Sequence, residues 1–90
     1  MTYSLQIKRS AAKALVKTPK KDRIRLIEAI DRLREEPHAG GVLKGEFAGL
    51  RRLRVGSFRI IYEVINDQLV VLVVRVGYRG EVYRSKGGDS

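Results

Sequence analysis

Apolar and polar residues alternate from the start of the chain, with Tyr3, Leu5 and Ile7 set against Ser4, Gln6 and Lys8. That period of two predicts a half-buried strand. Ser10 then stands where an N-cap would open a short helix through Ala11, Ala12, Ala14 and Leu15. Thr18-Pro19 interrupts it, because a residue before proline is pushed out of the α region. Pro19 suits the first turn of a second helix, expected to run to about Glu36. Along it Arg23, Leu26, Ile27, Ile30 and Leu33 fall on one stripe, with Ile24 and Ala29 at the margins. Glu28 and Arg32 have the i,i+4 spacing of a surface ion pair. Pro37 ends the helix, and His38-Ala39-Gly40-Gly41 is a loop.

After a second loop around Gly49, the period returns to two. Leu50 to Val55 and Phe58 to Ile65 are strands joined by Gly56-Ser57, a tight hairpin signal. Asn66-Asp67 turns the chain into a third strand, Leu69 to Val76, which is apolar at nearly every position and therefore central. Gly77 is expected to break it, with one more short pairing at Glu81-Val82-Tyr83 and a polar tail from Ser85 to Ser90. The expected architecture is α+β, in the order β-α-α-β-β-β(β), as one domain over residues 1–84. Two helices cover one face of a curled antiparallel sheet, and the other face stays partly open.

Composition narrows the partners. The chain has 90 residues, 43% of them hydrophobic and 32% charged, which fits one small folded domain. Its net charge of +9 suits nucleic acid, an acidic protein or an anionic membrane. Leu69 to Val74 is the longest apolar run and is too short to span a bilayer. No signal-like region precedes Tyr3, and there are no cysteines, so a cytoplasmic protein is expected, with no disulfides and no thiolate metal site.

The chemistry available is that of arginine and tyrosine. His38 is the only histidine, so no Ser/His/Asp set can form. No acidic or histidine cluster has metal-ligand spacing, and no cofactor is implied. Arg52 and Arg54 alternate with Leu53 and Val55, which places both guanidiniums on one face, roughly 6.6–7 Å apart. Arg59 opens the next strand, Arg79 follows Gly77 and Tyr78, and Tyr83 lies near the end. Arginine matches phosphate with a planar fork of donors, and tyrosine adds a stacking face. Arg51 and Arg84 read as solubilising, and Arg75 as one half of an ion pair with Glu63. A basic RNA-binding module without catalysis satisfies this reading as well as a nuclease does.

The runs Leu43-Lys44-Gly45, Leu53 to Tyr62 and Val76 to Arg84 together resemble the RelE family of the RelE/ParE toxin superfamily. The resemblance covers nearly the whole chain. It implies the toxin of a type II toxin–antitoxin system, a ribosome-dependent endoribonuclease that cuts mRNA in the ribosomal A site. A RelB-like antitoxin would hold it inactive, in a complex that binds operator DNA through the antitoxin. By position, Arg52, Arg54, Arg59, Arg79 and Tyr83 correspond to the family's catalytic residues. Lys44 matches a basic loop position that touches RNA, and Arg51 is expected to bind RNA beside it. The best-studied family pattern has lysines where Arg52 and Arg54 stand here. A lysine can lose its proton and act as a base, whereas arginine cannot. Either Arg52 and Arg54 serve only as electrostatic clamps or another group takes the proton, for which Tyr83 is the candidate; the resemblance leaves the general base unassigned. The same superfamily also implies an alternative, a ParE-like inhibitor of DNA gyrase.

Overall fold

The computed structural model describes residues 2–78. Strand β1 (Ser4–Ile7) leads into helices α1 (Arg9–Lys17) and α2 (Lys20–Arg32). A two-residue strand β2 (Gly41–Val42) and a 3-10 turn (Gly45–Phe47) precede strands β3 (Arg51–Val55), β4 (Phe58–Ile65) and β5 (Val70–Tyr78). The α+β architecture is the expected one, with β2 added. The pairing at 81–83 and the tail at 85–90 lie outside the described residues.

Helix α1 begins two residues earlier than Ser10 implied. Lys8, in extended geometry, is its N-cap, and Ser10 lies inside the first turn. The Lys8 N–H donates to the Val73 carbonyl at 2.9 Å, which carries the β1–β5 pairing up to the helix start and leaves no room for a later cap. At the other end Thr18 is extended before Pro19, as the proline requires, and its hydroxyl donates to the Ala14 carbonyl at 2.8 Å. Pro19 caps α2 from outside its first turn.

The second helix ends at Arg32 rather than Glu36. Tight turns follow, closed by Leu33 N–H to Ile30 O at 3.0 Å and Arg34 N–H to Asp31 O at 3.1 Å. The Arg34 carbonyl is taken by Tyr3 N–H at 2.9 Å, so it is not available to continue a helix. Leu26, Ile30 and Leu33 are buried at 2% exposure or less, whereas Ile27 is half exposed, at 50%. The sheet meets only the i, i+4, i+7 row, so Ile27 is not a core residue. Arg34 and Asp31 pair at 3.0 Å on the surface, where Glu28 and Arg32 were expected to do so; such exposed pairs contribute little.

The strand order is β1-β5-β4-β3-β2, with β1 parallel to β5 and every other pair antiparallel. The parallel step needs a crossover, and α1 and α2 supply it. Ile60, Tyr62, Val71, Val73 and Val76 turn toward the helices and join Ala11, Leu15, Leu26, Ile30 and Leu33 in one core. Burying each large aliphatic side chain there contributes about 1.5–3 kcal/mol.

A bulge in β5 changes which side chains reach each face. Ile61 pairs with Arg75 but Tyr62 pairs with Val73, so Val74 has no partner of its own on β4. Alternation therefore resets: Val71 and Val73 face the core before the bulge, and Val76 faces it afterwards. Gly77 does not break the strand. It pairs with Arg59, and Tyr78 pairs with Phe58, the two rings meeting edge to face at 5.6 Å. The turn before β5 also differs by one residue, because Leu69 is held at φ 55° and pairing starts at Val70.

Candidate functional site

The β3–β4 hairpin builds the site. Gly56 takes φ 62° at the tip, a conformation that glycine adopts without steric cost. The two-residue turn fixes the register, which sets Arg54 opposite Arg59 and Arg52 opposite Ile61. Leu53 and Val55 pack on the core side. By the pleat, Arg52, Arg54 and Arg59 then share the face that the helices leave uncovered. Directly opposed Cα atoms are about 4.5–5.5 Å apart, so these three arginines form one compact cationic group. Alternation predicted the shared face of Arg52 and Arg54, and the hairpin register adds Arg59.

Almost nothing in the described residues neutralises it. Arg59 makes one long bond, from Nη1 to the Phe58 carbonyl at 3.4 Å, while Arg52 and Arg54 have no hydrogen-bond or ion-pair partner among the described residues. Glu63 is on the same face but pairs with Leu72 across the ladder. Gly77 stands opposite Arg59 and adds no side chain to that row. The face offers fixed positive charge rather than proton transfer, because a guanidinium stays protonated at any ordinary pH.

Arg75 joins this face. Val74 is the unpaired bulge residue, so Arg75 lands opposite Ile61, which is itself opposite Arg52. The expected ion pair with Glu63 does not form. Their positions are diagonal across the β4–β5 ladder, where Cα atoms lie roughly 7–8 Å apart. Sequence reasoning missed Arg75 as a member of the cluster, since strict alternation from Val71 and Val73 would have turned it toward the core.

Arg51 lies on the helix side, opposite Tyr62, and is half buried. Its Nη1 donates to the Gly40 carbonyl at 2.7 Å, tying β3 to the loop before β2. Tyr62 is fully buried beside it, donating to the Pro37 carbonyl at 2.8 Å and accepting from the Gly40 N–H at 2.9 Å. Burial raises the Tyr62 pKa above 10.0, against smaller opposing effects of the Gly40 bond and the Arg51 charge. Lys44 is exposed in the β2–β3 connection, three residues beyond Gly41, the partner of Arg52. Arg79 and Tyr83 lie outside the described residues.

A groove of about 330 Å³ opens on the helix side, between α2 and β3, lined by Arg25, Ala29, Leu33, Leu53 and Val55. Arg54 also lines it. Among the described residues no three His, Asp or Glu side chains gather as a metal site. No helix there is long and apolar enough to cross a membrane.

Residues 5–83 match the family model described as the ParE toxin of the type II toxin–antitoxin system parDE. Toxin RelG of Mycobacterium tuberculosis is 30% identical over 86 residues, a match covering 93% of this chain and 99% of that toxin. Among solved structures, the toxin–antitoxin complex RelBE2 from Mycobacterium tuberculosis superposes with a TM-score of 0.82 at 27% identity, covering 88% of this chain and 100% of that one. The archaeal RelE–RelB complex from Pyrococcus horikoshii gives a TM-score of 0.73 at 35% identity, covering 89% and 98%.

Proposed function

This chain belongs to the RelE/ParE superfamily of type II toxin–antitoxin toxins, and on that basis we propose that it is a ribosome-dependent endoribonuclease. It acts in the cytoplasm on mRNA held in the A site of the ribosome. The observation that carries this reading is the convergence of Arg52, Arg54 and Arg59 on the sheet face that the helices leave uncovered, where none of the three has an acidic partner among the described residues. A cluster of unneutralised guanidiniums calls for a polyanion that can approach a flat surface.

In the reaction, the ribose 2′-oxygen attacks the adjacent phosphorus and the bond from phosphorus to the 5′-oxygen breaks. The 2′-hydroxyl proton leaves to a base, and the departing 5′-oxygen takes up a proton. The products are a 2′,3′-cyclic phosphate and a 5′-hydroxyl. Negative charge builds on the nonbridging oxygens, and Arg59 and Arg79 stabilise it; a preorganised donor of this kind is worth roughly 10²–10³-fold in rate. Arg52 and Arg54 clamp neighbouring phosphates. Tyr83 orients the target nucleotide and, in its phenolate form, accepts the proton. The ribosome supplies substrate positioning, so a face poor in acid–base groups suffices.

The partner that holds the toxin inactive is a RelB-like antitoxin, and the complex binds operator DNA through the antitoxin. The two structural relatives described above are a toxin–antitoxin complex and a RelE–RelB complex.

The deciding experiment adds purified toxin to translating ribosomes and maps the 5′ ends of the mRNA fragments. Cuts within A-site codons are expected for the wild type, and Arg59→Ala and Arg79→Ala should abolish them while still binding antitoxin. The ParE name of the matching family model favours one competing reading, gyrase inhibition. Intact mRNA together with DNA breaks in expressing cells would establish that reading instead. Salt-sensitive RNA binding without cuts would leave a non-catalytic RNA-binding module.

A further inference from the structure

The bulge at Val74 is the least expected feature of the sheet, and its consequence falls on one side chain. Val71 and Val73 face the core, so an unbroken β5 would turn Arg75 the same way, among Leu26, Ile30 and Ile60. A guanidinium there would need a partner or would cost several kcal/mol. The extra residue reverses the alternation, and Arg75 emerges on the uncovered face instead. Bulges beside functional sites commonly re-aim a side chain in this way.

What Arg75 meets there is a short row of the sheet, Arg52–Ile61–Arg75, read from the two registers that share Ile61. The outer members are about 10 Å apart at Cα, two strand spacings, which long guanidinium side chains can close over the central isoleucine. Ile61 is 1% exposed and belongs to the uncovered face rather than to the core under the helices. Neither arginine has a hydrogen-bond or ion-pair partner among the described residues, and Glu63, an acid on that face, does not pair with Arg75. Ile61 is already covered at 1% exposure, so what the row presents is two guanidinium-bearing side chains, unpaired among the described residues, that can hold one anionic group between them.

We propose that Arg75 is a further RNA-binding residue, which with Arg52 holds one backbone phosphate between the two guanidiniums, one row away from the Arg54–Arg59 pair. The proposal rests on the nuclease reading for the identity of the polyanion. Arg75 contacts the strand away from the bond that breaks, so its role is to hold register rather than to stabilise the transition state. A merely structural alternative exists, in which the aliphatic stem of Arg75 covers Ile61 and the charge is incidental.

The test is a salt titration of binding to a labelled single-stranded RNA oligonucleotide, fully 2′-O-methylated so that it cannot be cut. Full-length wild type is compared with Arg75→Met, Arg75→Lys and, as a control for net charge, Arg34→Met. Met keeps the stem and removes the charge. For Arg75→Met the slope of log affinity against log salt should fall by about 0.7, one phosphate contact on a single strand. Arg75→Lys should restore the slope, Arg34→Met should leave it unchanged, and melting temperatures should agree. An unchanged slope in Arg75→Met, an equal fall in Arg34→Met, or no salt-dependent binding by the wild type overturns the proposal. Ribosome-bound mRNA is tested in parallel with the wild type. Absence of cuts there sinks the nuclease reading alone, because the slope still reports whether Arg75 touches RNA.

Discussion

Arg54 and Arg59 stand directly opposite each other across the β3–β4 hairpin, two guanidinium-bearing residues at one register position of the uncovered face. Like charges directly opposed on a sheet are destabilising, and no acid among the described residues relieves them. A fold selected for stability alone would place a threonine or a glutamate at one of the two. Arg54→Thr should therefore stabilise the protein by about 0.2–1 kcal/mol while weakening RNA cleavage. Urea unfolding and a ribosome cleavage assay on the same preparation check both halves. A variant less stable than the wild type would show that the pair is not strained.

Gly40 occupies a position closed to any side chain. A Cβ there would sit 2.6 Å from the Arg52 carbonyl oxygen and 2.8 Å from the Tyr62 hydroxyl. Gly40→Ala must push β3 away from the loop or break the Tyr62 bonds, at a cost of about 1–3 kcal/mol. Because the displaced backbone belongs to Arg52, cleavage should fall as well. The denaturation midpoint and the cleavage rate should drop together. Gly41→Ala, with open space around its Cβ, should change stability by less than Gly40→Ala.

Tyr62 bridges the Pro37 carbonyl and the Gly40 N–H from inside the core. Tyr62→Phe leaves both buried groups without a partner, which costs about 1–3 kcal/mol for each such group. The residue also carries a pH signature. Burial raises its folded pKa above the ordinary 10.0, so the unfolded chain gives up this proton first as pH climbs. The contribution of Tyr62 is complete below pH 10.0 and is lost as pH rises toward and through the folded value. Stability curves of wild type and Tyr62→Phe should converge above pH 10 in circular-dichroism melts. Parallel curves would contradict this.

Leu69 sits at φ 55°, a left-handed conformation that costs a branched residue about 1 kcal/mol or more. It is partly exposed, at 37%, so little burial is lost on replacing it. Leu69→Asn should raise the melting temperature, corresponding to about 1 kcal/mol. The turn lies at the far end of β4 from Arg59, so RNA cleavage should be unaltered. A lower melting temperature would mean that Leu69 contributes more through packing than it loses through strain.

The arrangement of Arg52 and Arg54 was legible because alternation on a strand is a local property. The hydrogen-bonding backbone forces a period of two, and Leu53 and Val55 showed which face is buried. The Gly56-Ser57 turn fixed how β3 and β4 meet, so the site's register followed from a few adjacent residues. Helix α2 was visible as a helix, but its rotation was not. Ile24, Ile27 and Ile30 are equally apolar, and only contact with the sheet decides that Ile30 is buried while Ile27 stays half exposed.

The direction of Arg51 could be read from its neighbours, but its bond to Gly40 joins residues eleven positions apart and leaves no local trace. The same holds for Tyr62 and Pro37, separated by twenty-five. By itself the sequence determined the order of both helices and of the strands other than β2, the hairpin and the arginine-bearing face, because each depends on backbone geometry over a few consecutive residues. Tertiary structure alone decided that β5 carries a bulge and that Arg75 therefore joins Arg52. The hydrophobicity of β5 is the same in either phase, and the phase is set by what β4 and the helices require of it.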